Sequence, residues 1–345
     1  MQLPASLMAR ETQAAPALCA AQIVRNAALM RATGARLRAL APPFAATLAR
    51  GSSDNAAGFA KVLLETRAAM PVLSQAPSIG SIYKATSPRF AGVPLLAISQ
   101  SGRSPDLIAA ARDAQRQGAL VVAIVNDTES ALAALADICI PVHMGPEISV
   151  AATKSFVGTL VAIIHLVAEW TEDAELLALL PQIAPVLAAA EDWRAAVPLL
   201  RDVSSMLVLG RGLTLPIAGE AALKLKETSG IHAEAFSSAE VAHGPMTLVG
   251  DGVPVLAFGA TDAARAGLHA RLTEFRARGT QVIAAGHPDD TATATLALPL
   301  PWQAHPLLAA LAAIQSFYGL AEALALARGL DPDRPPHLSK VTHTL

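Results

Sequence analysis

Aromatic residues are scarce in this chain: only 4% of its 345 residues are Phe, Trp or Tyr, although 53% are hydrophobic. A core without bulky rings has to be built from Ala, Leu, Val and Ile, which suits parallel sheets covered by helices. Cysteine is nearly absent as well. Cys19 and Cys139 are far apart and in no metal-like spacing, which excludes a disulfide framework and makes a reducing cytoplasm the simplest setting. A large excess of charge of either sign is missing. The formal net charge is -2 and the charges are interspersed, so no basic face is offered to nucleic acid. A membrane-spanning run is not evident: residues 156–168 contain His165 and are too short, and residues 14–21 lack a basic leader. The expectation is a soluble cytoplasmic protein of two ordinary domains.

What is present is a repeated unit of strand, hydroxyl-rich turn and helix. Residues 93–98 form an apolar run that breaks into Ser99, Gln100, Ser101, Gly102, Arg103 and Ser104 before a helix starts at Pro105. The free N–H groups and positive dipole end of a new helix favour an anion. Ser99, Gln100, Ser101 and Ser104 add side-chain donors, none of them charged. Without a Walker lysine or a three-glycine pattern, the turn suits one small phosphate better than a nucleotide. The plainer alternative is that Ser104 is an ordinary N-cap ahead of Pro105. A second such unit runs from residues 44–48 through Arg50, Gly51, Ser52 and Ser53 into a helix. With further strands expected near 71–73, 120–125 and 138–142, alternating with helices, the fold class is α/β with a doubly wound parallel sheet.

The second half repeats the first. Residues 206–209 lead through Gly210, Arg211 and Gly212 into a helix carrying Lys224 and Glu227, and 253–258 match 93–98 without the serine pair. Duplication is indicated, with phosphate chemistry kept in one copy. The expected division is a helical arm at 1–40, a phosphate-binding domain at 41–170, a helical linker at 171–197, a second domain at 198–330 and a tail at 331–345. Glu220, Lys224 and Glu227 share one helical face. On a solvated helix they would be an ion-pair stripe. Among Ala218, Ala221, Ala222 and Leu225 they are a carboxylate and an amine partly buried together, which tunes a general base. His243 precedes a Gly–Pro break and sits on a loop, whereas His232 and Glu234 alternate with alanines as structural groups. No set of side chains has metal-ligand spacing, and no Gly-x-Ser-x-Gly elbow is present.

Ile98-Ser-Gln-Ser-Gly-Arg-Ser104, Glu147-Ile-Ser-Val-Ala-Ala-Thr-Lys154, Ala222-Leu-Lys-Leu-Lys-Glu227, His232-Ala-Glu234, His243-Gly-Pro245 and Leu338-Ser-Lys340 resemble the sugar isomerase (SIS) family. The chain also resembles the isomerase half of glutamine–fructose-6-phosphate aminotransferase, down to the lead-in from Met8 to Glu11 and Pro16. The resemblance implies two tandem flavodoxin-like SIS domains. It implies that Ser53, Ser99, Gln100, Ser101 and Ser104 hold a sugar 6-phosphate, and that Ser52 and the Val150 backbone contact the sugar. Glu227 is then the proton shuttle between C1 and C2, with Lys224 beside it. His243 from a neighbouring subunit assists ring opening, and Lys340 brings the tail over the site. Arg103 departs from an acidic residue of the family, and Ala152 from a hydroxyl residue.

No cysteine here is placed as the N-terminal nucleophile of a glutaminase domain, so the implied activity uses no glutamine. The expectation is a homodimeric, metal- and cofactor-independent deaminase converting glucosamine 6-phosphate to fructose 6-phosphate and ammonia. Alternatives are a galactosamine-phosphate deaminase, a deglycase of a glycated amino acid, a plain aldose–ketose isomerase and a non-catalytic phosphosugar sensor.

Overall fold

The computed structural model describes residues 5–83, 85, 90–250, 252–301 and 303–340. The last residues of the expected tail, 341–345, lie outside them. By contacts the chain forms two compact units. One comprises Ala14–Glu147, Lys154–Ala184 and the tail from Ser339; the other comprises the start to Gln13, Ile148–Thr153 and Pro185–Leu338.

The first unit holds strands β1 (Ala45–Leu48), β2 (Val72–Ser74), β3 (Pro94–Ser99), β4 (Leu120–Val125) and β5 (Ile138–Pro141). All pair in parallel in the order β2-β1-β3-β4-β5. Every residue of β3 and β4 is buried, as continuous apolar runs covered on both faces require. One side of the sheet packs on Leu107, Ala110, Ala111 and Ala114 of the Pro105–Arg116 helix, where alanine side chains let helix and sheet approach closely.

The second unit holds β6 (Ser205–Gly210), β7 (His232–Ser237), β8 (Val255–Phe258), β9 (Val282–Ala285) and β10 (Leu296–Leu298). Their order, β7-β6-β8-β9-β10, repeats the first sheet strand for strand, and every pairing is again parallel. The duplication expected from sequence is therefore a duplication of topology. Three of the few aromatic rings gather here: Phe258 stands 6.0 Å from Trp193 and 5.9 Å from Phe317. The Pro306–Ala327 helix is long and apolar enough by composition to cross a bilayer. It spends that apolarity inward, since 83% of its most apolar window is buried. The segment expected as a linker contains a helix of its own, Ala174–Ala188.

His165 gives the first unit an acid-sensitive point. It is buried in the Lys154–Thr171 helix, and burial, followed by the Arg31 charge, pushes its pKa from 6.5 down to about 4. The nearest carboxylate, Glu169, is 4.0 Å away. A folded-state pKa below the unfolded one means that protonation favours unfolding. Stability is then expected to fall as the pH drops from about 6.5 towards about 4, by on the order of 3 kcal/mol in all. Urea midpoints across that window should show the loss, and His165→Gln should remove it.

Candidate active site

In a 2-1-3-4-5 parallel sheet, a crevice opens beyond the carboxyl ends of the first and third strands, where the winding reverses. In the first unit those ends run into Arg50-Gly51-Ser52 and Ser99-Gln100-Ser101. A cavity of about 230 Å³ lies there, lined by Arg50, Gly51, Ser99, Gln100, Ser101, Ser104 and Lys340. Four of the predicted phosphate ligands are thus brought together. Ser52 and Ser53 open the adjoining Ser52–Arg67 helix without lining the cavity.

Ser104 bears on both readings of the turn. It occupies the N-cap of the Pro105–Arg116 helix, yet its side chain makes no capping hydrogen bond. The hydroxyl therefore stays available to a ligand. Ser99 Oγ accepts from the Gly102 N–H at 3.0 Å, and Ser101 Oγ accepts from the Arg103 N–H at 3.4 Å. Each hydroxyl spends an acceptor site on the backbone and keeps its proton to donate, which an anion requires. Gly102 makes the turn possible: its φ is +60°, and a Cβ there would run into the Ser130 hydroxyl. Ser130 in turn caps the next helix through the Ala133 N–H. Gly102→Ala should cost about 1–3 kcal/mol by strain and displace the serines. A lowered melting temperature together with weakened phosphate binding is the expected result. Arg103, the departure from the family pattern, does not line the cavity; its Nε and Nη2 donate to Asp127 Oδ2 at 3.0 and 2.7 Å.

Lys340 reaches this cavity from the end of the chain, and its Nζ donates to Glu147 Oε2 at 2.8 Å. The Glu147 side chain is fully buried and also accepts from the Ser155 N–H and hydroxyl, at 3.0 and 2.6 Å. Burial works to raise its pKa, but the Lys340 charge and these hydrogen bonds outweigh it and hold the carboxyl below its ordinary value. A depressed carboxylate pKa makes the clasp a feature of neutral pH, lost as acid protonates Glu147.

In the second unit the Thr214–Ser229 helix carries the predicted proton-transfer group. Gly230, left-handed at φ 63°, ends it, and the Ile231 N–H closes back on the Leu225 carbonyl. Glu220 and Lys224 are buried, with side chains 0% and 1% exposed, while the Glu227 side chain is 19% exposed. Lys224 Nζ pairs with Glu227 Oε2 and stands 3.5 Å from Glu220 Oε1. Glu220 Oε1 also receives the Tyr318 hydroxyl at 3.4 Å. Two carboxylates share one ammonium, and only Glu227 combines that contact with an opening to solvent. A carboxylate positioned by an ammonium yet reachable from solvent is what a general base needs.

The remaining predicted residues are placed as follows. The Val150 N–H donates to the Asp333 carbonyl at 3.1 Å. The Asp333 carboxylate accepts from the Leu7 and Met8 N–H groups at 2.8 and 2.7 Å and so caps the first helix of the chain. Glu11 accepts from the Ile148 N–H at 2.5 Å, which gives the Met8–Glu11 lead-in a structural task. His243 is exposed on its loop, and His232 and Glu234 are exposed on β7, an edge strand. Sequence reasoning missed Arg50 and gave Glu147 no role. The signal was there for Arg50, one residue ahead of the glycine that starts the helix.

Comparison with known proteins agrees with this architecture. The SIS domain model matches residues 45–168 and 199–327. Glutamine–fructose-6-phosphate aminotransferase (isomerizing) from Thermococcus kodakarensis is 34% identical over 259 residues, covering 71% of this chain and 43% of that protein. The chain spans about half the length of the curated relatives it matches. A candidate phosphosugar isomerase from Silicibacter pomeroyi superposes with a TM-score of 0.87 at 42% identity, over 95% of this chain and 100% of that one. The C-terminal domain of glucosamine-fructose-6-phosphate aminotransferase from Francisella tularensis gives 0.86 at 27% identity, over 96% and 98%.

Proposed function

From the premise that the chain belongs to the SIS domain family, we propose that it is a phosphosugar isomerase acting as an amino-sugar-phosphate deaminase. The observation that carries this is the buried Glu220–Lys224–Glu227 group, in which only Glu227 is both ion-paired and open to solvent. In this reading the serine turn holds the 6-phosphate and supplies binding energy remote from the reacting carbons. With the ring open, Glu227 removes the C2 proton of the 2-amino aldose and returns a proton at C1. The product is a ketose imine, and water adds at C2 to release ammonia and fructose 6-phosphate. Lys224 holds the Glu227 carboxylate in place for the first step. His243 of a second copy assists ring opening, which makes the working form a homodimer.

Burial pushes Cys19 up to about 12 and raises Cys139 as well, so neither is a thiolate nucleophile near neutral pH. Both are free, in keeping with a reducing, cytoplasmic setting.

The test is to incubate the purified chain with glucosamine 6-phosphate and no glutamine. Ammonia and fructose 6-phosphate in equal amounts are expected. Ammonia-free interconversion of an aldose and ketose phosphate would move the reading to a plain isomerase. Binding of sugar phosphates with no turnover of any would overturn the enzymatic reading.

A further inference from the structure

The predicted phosphate ligands, four of which line the cavity, are uncharged, yet a phosphate ester at neutral pH carries nearly two negative charges. The cavity lining itself supplies cations, and the sequence reading overlooked one of them. Arg50 lines the cavity, and its Nε donates to Asp106 Oδ2 at 2.6 Å. The Asp106 side chain is fully buried and its other oxygen accepts from the Leu107 N–H at 2.9 Å. The Arg50 side chain, by contrast, is 47% exposed. The carboxylate therefore sits behind the guanidinium and fixes it through Nε, and the two terminal amino groups remain as a planar fork of donors.

We propose that Arg50, fixed by Asp106, is the charged anchor of this pocket and selects dianionic phosphate esters over neutral or singly charged sugars. The inference rests on the phosphosugar reading and adds a ligand to it. The same construction recurs across the cavity, where buried Glu147 fixes Lys340. In both cases the acid is covered and the cation is the more accessible partner, so an incoming anion meets the positive group first. Asp54 is a further acid whose charge interacts with Arg50; burial raises its pKa while the Arg50 charge lowers it, with burial the larger effect. Guanidinium is suited to the task because its fork matches two phosphate oxygens, which an ammonium does not.

A purely structural Arg50 would serve only to neutralise buried Asp106, and paired variants separate the two roles. Arg50→Met combined with Asp106→Asn removes both charges and leaves no orphaned acid; Arg50→Lys keeps the charge and loses the fork. Calorimetry with fructose 6-phosphate and with inorganic phosphate reads binding independently of turnover. The double variant is expected to keep a cooperative melt and to bind both ligands about 10- to 100-fold more weakly. Wild-type affinity should fall as acid protonates the phosphate through its second pKa near 6, and this slope should flatten in the double variant. Arg50→Lys should bind at an intermediate level. Wild-type-like affinity and pH slope in the double variant would overturn the role of Arg50 alone. If the wild-type chain bound neither ligand, the phosphosugar reading would fall with it.

Discussion

Glu227→Gln is expected to lower kcat by about a hundredfold to ten-thousandfold, the span that positioned acid–base groups supply, while the protein stays folded and binds sugar phosphate. The substitution keeps the shape of the side chain and removes only its basicity. Stability should hardly change, for two reasons. Glu227 is the partly exposed member of its cluster, and Lys224 retains buried Glu220 at 3.5 Å as a counter-charge. KM should move little, because phosphate recognition is assigned to the serine turn and Arg50. A steady-state split of this kind, kcat down and KM level, marks a group acting in the transition state. Normal turnover by the Gln variant would remove Glu227 from the mechanism.

Lys224→Met should have the opposite profile, with loss of fold stability as its main effect. Lys224 is almost completely enclosed, and its removal strips the cation from Glu220, whose side chain is fully buried. Breaking a buried pair by deleting one partner costs about 3–5 kcal/mol, because the surviving charge is left in low dielectric. The urea midpoint should drop accordingly. Lys224→Met combined with Glu220→Gln should recover much of the loss, since no fully buried charge then remains uncompensated and Glu227 keeps its opening to solvent. Activity should not recover, because Glu227 has lost the ammonium that positions it. A double-mutant cycle showing simple additivity would mean that Lys224 and Glu220 do not interact as described.

Much of this was legible in the sequence, for physical reasons that differ by element. β3 and β4 announced themselves because strands buried on both faces have to be continuous apolar runs. The serine turn stood out because it gathers four uncharged side-chain donors before a helix starting at Pro105, more than a single N-cap uses. β7 did not stand out: its His-Ala-Glu-Ala pattern belongs to a half-exposed edge strand and looks like a loop with isolated polar groups. β9 and β10 span four and three residues, too few to show a period. Long-range pairings were the larger omission. Asp106 under Arg50, Glu147 under Lys340 and Asp333 capping the first helix join residues 56, 193 and more than 320 positions apart. Local spacing carries no trace of such pairs, because they follow from strand order.

The most direct test of the account is hydrogen exchange at the sugar carbons. Glucosamine 6-phosphate and fructose 6-phosphate would each be incubated with the chain in D2O and followed by proton NMR at C1 and C2. The account predicts that wild-type protein brings solvent deuterium into those positions, while Glu227→Gln leaves them protonated with the ligand still bound. Exchange that persists undiminished in Glu227→Gln, or bound ligand whose C1 and C2 hydrogens never exchange in the wild type, would contradict it.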